Sequence, residues 1–366
     1  MSAVTTLAEW LPDERHAALI TSPLSLRYLC GFPIDNGVLF VTKEESFLFL
    51  RGNVLKSLPP MLLEKLMERF PKKTTDFTVK ELKTEKQLLD LMIKYGAKYL
   101  YIESDKMPVA DFNMYKEQLH YAEFDATDAL PNELLRLRSV KTETELDAIE
   151  AAQKICDKAY ERLLSNIRSG MTERQIAALL DFYLTDYGSG GAPFPTVVLS
   201  GENTAKQYLK PSDRKIREGD FVILEFGATF AGYCAKMCRT IAVGEIPLNR
   251  DNAYNAVSCA IADGLRSLRA GIGGKVADSV ARSTLAAWDA DKYCSSDFAH
   301  GIGLEVVEPP LVSQNSNSLL RANTVLAVHS AIIVGGKFGV KIGDMAILTE
   351  DGCIDCTKAT KSLVHL

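Results

Sequence analysis

Residues 221–240 read FVILEFGATFAGYCAKMCRT. The apolar run 221–228 and the later run 238–243 each predict a β-strand, because short apolar segments bounded by turn residues are typical of strands. Gly232 lies between the two runs, and a residue without a side chain permits a tight backbone turn there. The stretch therefore predicts two strands of an antiparallel sheet.

The sequence on both sides of this stretch alternates between helical and strand patterns. Thr142-x-x-Glu145 and Thr172-x-x-Gln175 are capping boxes, which predict a long helix to about residue 167 and a second helix that ends at the glycine-rich run 188–191. Further strands are predicted at 196–199, 325–334 and 345–349, with a helical interval at 252–289. Helices followed by strands, twice over, predict an antiparallel α+β domain with an internal pseudo-repeat.

The first part of the chain has a different pattern. Strands predicted at 17–21, 38–42, 46–50 and 99–103 alternate with helices at 55–70, 84–95 and 108–119. This order favours a small three-layer α/β domain. Since 366 residues exceed the usual size of one core, we predict two domains, 1–130 and 131–366, with the crossing near residues 128–138.

Composition excludes several classes of protein. Apolar residues make up 47% and charged residues 24%, which is typical of a globular chain. The net charge of −5 and the pI near 5.7 argue against nucleic acid or an anionic membrane as partner. No apolar run approaches the length of about 18 residues that a membrane span needs, and the scattered cysteines form no disulfide framework. We expect a cytoplasmic protein, with Cys353-x-x-Cys356 as two incidental thiols.

Four stretches of the second domain occur together, in order and with characteristic gaps. They are residues 194–203 with 211–220, residues 221–228 with Gly232-Tyr233 and Arg239-Thr240, residues 300–305 with Glu308-Pro-Pro310, and residues 337–342 leading to 349–352. Together they resemble the creatinase/prolidase/aminopeptidase P family, which has the pita-bread fold. The segments Thr21-Ser-Pro23 and Tyr28-Leu-Cys-Gly-Phe32 resemble the N-terminal domain of its Xaa-Pro peptidase branch. The resemblance implies a smaller creatinase N-terminal-like α/β domain followed by a pita-bread domain.

The resemblance also implies a catalytic site with two metal ions, held by two aspartates, one histidine and two glutamates. Those five positions correspond here to Glu225, Lys236, His300, His329 and Gly343. The charges of Glu225 and Lys236 cancel, and an ammonium at position 236 would repel a neighbouring cation. Asp344 cannot replace the lost carboxylate at Gly343, because neighbouring strand residues point to opposite faces. We therefore expect no metal cofactor and no two-metal peptidase activity.

Other family positions near the substrate are also changed. Tyr208 and Val307 stand where relatives carry histidines that bind substrate or shuttle protons. Metal-free hydrolysis of the creatinase type is disfavoured as well, since it depends on the histidine at position 208. Arg239 matches a residue that supports the site in this family. We expect the substrate pocket to be formed by Tyr208, Glu225, Val307, Glu308, His329 and Arg239.

Three functions remain open from the sequence. In the first, Lys236 pairs with Glu225 in a metal-free pocket of a pseudopeptidase that binds a small peptide or an amine-bearing small molecule. In the second, Glu225, His300 and His329 hold one zinc or iron ion in a hydrolase.

In the third, a metal-free hydrolase or lyase uses Lys236 as base or electrostatic clamp and His300 as general acid/base, with Tyr208 and Glu308 as accessory groups. The resemblance also implies a homodimer.

Overall fold

The computed structural model describes residues 2–57, 77–206, 209–294 and 296–366. The chain divides into two units, Met1–Arg138 and Ser139–Leu366. The division falls inside the crossing region predicted from the sequence, but after residue 130. The difference arises because residues 129–139 form a helix and not a linker, and most of that helix belongs to the first unit. Pro131 is tolerated there because the first turn of a helix has no intrahelical use for its N–H groups.

The described part of the first unit contains six strands and several helices. In chain order they are α1 (Ala3–Trp10), β1 (His16–Ile20), α2 (Pro23–Cys30), β2 (Gly37–Thr42), β3 (Ser46–Arg51), α3 (Gly52–Ser57), β4 (Thr78–Leu82), α4 (Lys86–Tyr95), β5 (Tyr99–Ile102), α5 (Val109–Gln118), β6 (Glu123–Asp125) and α6 (Ala129–Ser139). Most of the helix predicted at 55–70 lies outside the described residues.

These strands form one mixed sheet in the order β4-β3-β2-β1-β5-β6. Alternate residues of β1 point to opposite faces, as a pleated strand requires. Ala18 and Ile20 pack against α1, α2 and α6, whereas Ala17 and Leu19 pack with residues of α4 and α5. Helices thus cover both faces, which confirms the predicted three-layer α/β domain.

The second unit begins with two helices and continues into long strands. The described elements are α7 (Glu143–Asn166), α8 (Glu173–Asp186), β7 (Val197–Ser200), a 3₁₀ turn (Gly201–Ala205), β8 (Phe221–Phe230), β9 (Tyr233–Ala242), α9 (Leu248–Ser267), α10 (Gly274–Ala287), a second 3₁₀ turn (Asp291–Tyr293), β10 (Ala299–Gly301), β11 (Glu308–Val312), β12 (Val325–Val334), β13 (Phe338–Leu348) and β14 (Cys353–Asp355). Both predicted capping boxes are present at the starts of α7 and α8.

The strands of this unit form an antiparallel sheet in the order β11-β10-β12-β13-β9-β8-β7, with β14 added beside β13. One face of the sheet carries the helices. Leu224 and Met237 pack with α7 and α8, and Val328 and Ile342 pack with α9 and α10. Residues of the other parity on the same strands point to the opposite face. Part of that face packs with Ile149 of α7, and another part builds the candidate site.

No helix among the described residues is long and apolar enough to cross a membrane.

Candidate functional site

A carboxylate held between two ammonium groups lies on the second sheet, on the face opposite to Leu224 and Met237. Lys236 Nζ lies 3.2 Å from Glu225 Oε1, and Lys341 Nζ lies 2.7 Å from Glu225 Oε2. The three side chains are largely buried, with 16 to 23% of each exposed. The sequence prediction that Lys236 pairs with Glu225 is confirmed, and Lys341 is a second partner that the sequence analysis did not name.

The strand register explains why these residues meet. Glu225 lies opposite Cys238 in the β8–β9 pair, so Lys236, two residues before Cys238, is on the same face. Cys238 in turn lies opposite Gly343 of β13, and Lys341 precedes Gly343 by two residues. The register of three strands therefore brings Glu225, Lys236 and Lys341 together.

The two ammonium groups control the ionisation of Glu225. Burial disfavours its charged form, but the charges of Lys341 and Lys236 outweigh this effect and lower the pKa of Glu225 to about 2. The carboxylate is therefore ionised throughout the physiological range. Lys236 Nζ also lies 5.7 Å from the centre of the Phe194 ring, within range of a cation–π contact.

His300 and His329 are neighbours on the same sheet, with ring centroids 5.5 Å apart. Burial lowers the pKa of His300 to about 4, although the carbonyl of Gly301, 2.9 Å from its Nδ1, favours the protonated form. Burial, together with the nearby ammonium groups, also holds the pKa of His329 well below its usual value. His329 Nδ1 is shielded from solvent and has no hydrogen-bond partner within the described residues. Both rings are neutral at pH 7.

A cavity of about 350 Å³ opens beside Glu225 and Lys341. Its walls are mostly apolar, and its described lining residues are Val197, Leu199, Thr204, Lys206, Leu209, Ile223, Glu225, Ser296, Ala331, Ile333 and Lys341. Its size is at the small end of the range of about 300–1,000 Å³ that is usual for ligand pockets. The cavity can therefore hold a compact ligand in contact with the charged group of Glu225 and Lys341.

Arg239 does not belong to the pocket, contrary to our prediction. It lies three residues after Lys236 on β9 and so points to the helix-covered face. There its guanidinium is buried, donates to Asp344 Oδ1 at 2.7 Å and donates to the carbonyl oxygen of Gly343 at 2.9 Å. Lys361 Nζ lies 2.9 Å from the other Asp344 oxygen. Asp344 therefore points away from Glu225, as strand alternation predicted.

Two further residues expected in the substrate pocket, Val307 and Glu308, are not among the described lining residues of this cavity. Val307 is 58% exposed and is not among the described residues that line the cavity. Glu308 is buried, and its Oε2 lies 3.3 Å from Lys141 Nζ in an ion pair with almost no exposure. The cause is its place at the start of β11, which turns the carboxylate towards Lys141 and the backbone N–H of Glu305. Tyr208 lies outside the described residues, so its role stays a prediction.

Comparison with known proteins identifies the family to which this architecture belongs. Residues 147–350 match Metallopeptidase family M24, and residues 10–140 match the Creatinase/Prolidase N-terminal domain. The chain belongs to metallopeptidase family M24. The predicted resemblance and the predicted fold class, a pita-bread domain after a smaller creatinase N-terminal domain, are thereby confirmed.

Three relatives of this M24 chain align with almost its whole length. A Xaa-Pro dipeptidase of Pyrococcus horikoshii is 28% identical over 95% of this chain and 94% of its own length. The solved Xaa-Pro dipeptidase from Bacillus anthracis has a TM-score of 0.87 and 29% identity, covering 96% of this chain and 95% of that one. The X-Pro aminopeptidase from Thermotoga maritima has a TM-score of 0.85 and 29% identity, covering 96% and 97%.

The side chains in this M24 domain do not fit a pair of divalent ions. A two-metal site needs several carboxylates around the ions, and here two ammonium groups occupy the two oxygens of Glu225. Among the described residues, no three His, Cys, Asp or Glu side chains are grouped so that they could hold a metal ion. Glu225, His300 and His329 therefore do not form the single-metal ligand set that was one alternative from the sequence.

Two lysines of the M24 site were missed by the sequence analysis. Lys341 lies in the segment 337–342 that carried the resemblance, but its role depends on β13 lying beside β9. Lys206 follows the 3₁₀ turn after β7 and lines the cavity. A lysine in a largely apolar strand was the available signal for Lys341, whereas nothing in the local sequence marked Lys206.

Proposed function

We propose that this M24 chain is a metal-independent binding protein for a small peptide or small molecule, and that it does not hydrolyse Xaa-Pro bonds by a two-metal mechanism. The observation that carries the proposal is the ion-paired group of Lys236, Glu225 and Lys341. Its two ammonium groups supply positive charge at the place where the family chemistry requires anionic ligands for cations.

The surrounding residues support the same function. His329 and Gly343 lie opposite each other in the β12–β13 register, at the positions of the two family glutamates. Neither supplies a carboxylate, so a divalent ion would lack charge compensation there. The relatives named Xaa-Pro dipeptidase and X-Pro aminopeptidase indicate a ligand of small-peptide size.

A metal-free hydrolase with Lys236 and His300 as catalytic groups receives less support. The ammonium of Lys236 is already paired with Glu225. His300 has its pKa lowered to about 4 by burial, so little of it is protonated at pH 7 to act as a general acid. Glu225 lines the cavity, whereas Lys236, His300 and His329 are not among its described lining residues. We assign none of the four a catalytic step.

Metal stoichiometry tests the proposal directly. Protein prepared without a metal-affinity tag is dialysed against zinc, iron and manganese and then analysed for bound metal. We expect a value near zero per chain, and no cleavage of Xaa-Pro peptides with manganese or cobalt added. A ratio near one or two that is lost in His329→Ala, or efficient Xaa-Pro cleavage, would refute it.

Two further features belong to the proposal. We infer a homodimer from the family resemblance, and sedimentation or light scattering measures it. We also infer a cytoplasmic location, which agrees with the state of the cysteines. All eight lie within the described ranges and are free thiols, as is usual in a reducing compartment.

A further inference from the structure

The cavity beside Glu225 has an excess of positive charge. Lys206 and Lys341 both line it, and Glu225 is the single carboxylate among its described lining residues. Lys236 adds a third ammonium group through its contact with the other oxygen of Glu225. His300 and His329 nearby are neutral at pH 7 and do not alter this balance. The described charged groups around the cavity therefore favour an anion over a cation.

The rest of the cavity wall is apolar. Val197 and Leu199 come from β7, Ile223 comes from β8, and Ala331 and Ile333 come from β12. Such a wall contributes affinity by removing apolar ligand surface from water. A fully polar anion such as phosphate would leave this wall unused, whereas a ligand with both an apolar body and one anionic group would use all of the cavity.

We propose that the cavity binds a small carboxylate with an apolar body, whose carboxylate lies against Lys341 and Lys206. This inference rests on the proposed metal-independent function and specifies its ligand class. It also departs from the amine-bearing ligand expected from the sequence. A cationic amine would enter a site where ammonium groups already outnumber the carboxylate.

Glu225 has a defined part in this arrangement. Its Oε2 lies 2.7 Å from Lys341 Nζ, so it competes with an incoming carboxylate for the same ammonium. It also keeps the neighbouring ammonium groups paired when the cavity has no ligand. Replacing Glu225 by glutamine removes the competing charge and keeps the shape, and it should therefore strengthen carboxylate binding. An amine ligand would respond in the opposite direction.

The test uses the full chain and three probes of equal length: hexanoate, hexanamide and hexylamine. Isothermal titration calorimetry should show that hexanoate binds at least about tenfold more tightly than hexanamide, because a hydrogen bond to a charged group contributes more than a neutral one. Hexylamine should not bind. Lys341→Met and Lys206→Met should each weaken hexanoate binding about tenfold, whereas Glu225→Gln should strengthen it.

Lys154→Met is the matched control, since this exposed lysine on α7 is not among the residues that line the cavity. Thermal unfolding checks that every variant is folded. If Lys341→Met is not folded, Lys341→Gln takes its place, with the same expected loss of hexanoate binding.

Preferred binding of hexylamine, lost in Glu225→Gln, would overturn the carboxylate inference. Absence of binding by all three probes would overturn it too. Neither result touches the proposed metal independence, which is read from metal stoichiometry alone.

Discussion

Lys236 Nζ and Glu225 Oε1 lie 3.2 Å apart across the β8–β9 hairpin, at positions whose family counterparts are both aspartates that bind metal. The pair replaces a site of like charges with one in which opposite charges meet. With Lys341 on the second oxygen of Glu225, the carboxylate is stabilised without an ion from solution.

The first prediction concerns the acid sensitivity of this group. A glutamate has an ordinary pKa of 4.5, and Glu225 has its pKa lowered to about 2. A lowered carboxyl pKa stabilises the fold above pH 4.5, and that stabilisation is lost as pH falls from 4.5 towards 2. The loss amounts to about 3 kcal/mol at most. Urea denaturation measures the free energy of unfolding from pH 7 to pH 2. This free energy should fall less steeply with pH for Glu225→Gln than for the unsubstituted chain. Parallel pH dependences of the two proteins would contradict the prediction.

The second prediction restores the family ligands. Combining Glu225→Asp, Lys236→Asp, His329→Glu and Gly343→Glu should create a site for about two divalent ions. A Cβ added at Gly343 would lie 3.2 Å from Cys238 Cβ and 3.4 Å from Val328 O, so Gly343→Glu requires Cys238 to shift by a few tenths of an ångström.

Elemental analysis after dialysis against manganese measures the result. Lys236→Met, which removes the repulsion without adding a ligand, should bind no metal. A fourfold variant that folds but binds no metal would show that the four changed ligand positions do not by themselves explain the proposed absence of metal binding.

The third prediction concerns the buried pair of Arg239 and Asp344 on the helix-covered face. Arg239→Met leaves the Asp344 carboxylate without its main partner and should lower the free energy of unfolding by about 3–5 kcal/mol. Chemical denaturation measures this loss. The double variant Arg239→Met/Asp344→Leu should recover much of it, since no buried charge is then left unpaired. A double variant as unstable as the single one would argue against the charge explanation.

The fourth prediction concerns Glu173, which anchors the segment beside the cavity. Its carboxylate accepts hydrogen bonds from the backbone N–H and hydroxyl of both Ser200 and Ser212, and from the amide of Asn203. Burial raises its pKa, but the hydrogen bonds led by Ser212 outweigh burial and lower it overall.

Glu173→Gln should therefore destabilise the chain by about 1–3 kcal/mol at pH 7 and speed amide exchange at Ser200, Asn203 and Ser212. Because the carboxyl pKa is lowered, the difference should shrink as pH falls below the ordinary value of 4.5. Exchange of the β12 amides serves as the internal reference. Equal protection of the amides of Ser200, Asn203 and Ser212 in both proteins would refute this role.

The fifth prediction follows from the neutral histidine pair. Since burial lowers the pKa of His300 to about 4 from an ordinary 6.5, its ring should not titrate between pH 8 and pH 5.5. The pKa of His329 is also held well below 6.5, so its ring should be neutral at pH 7. As the pH falls through 6.5, both histidines take up protons in the unfolded chain before they do so in the folded chain. The free energy of unfolding therefore decreases over this range. NMR titration of the ring resonances, assigned with His300→Gln and His329→Gln, tests this, and a transition above pH 6 would contradict it.

Much of the fold was predictable because local signals agreed with the final structure. The capping box at Thr142 starts α7, and the apolar runs on either side of Gly232 form the β8–β9 hairpin. Short or half-exposed strands were missed. In β4, for example, Leu82 is buried while the other residues are partly or fully exposed, so no alternating apolar pattern marks it.

The site was less predictable because it depends on contacts between distant strands. Glu225 and Lys236 are near in sequence, so their pairing could be inferred. Lys341 joins them only because β13 lies beside β9, and no local pattern encodes that order. The error at Arg239 has a simpler cause, since residues three apart on one strand point to opposite faces.

Under the proposed metal-independent function, lysine side chains take the place of exchangeable metal ions, and the site responds differently to its surroundings. A bound ion exchanges with a free pool, so the fraction of charged sites rises and falls with the supply of metal. The ammonium groups of Lys236 and Lys341 are covalently part of every molecule and have no dissociation equilibrium of their own. Every copy of the chain therefore carries the same charge in its cavity from the moment it folds, in metal-starved and metal-rich cells alike.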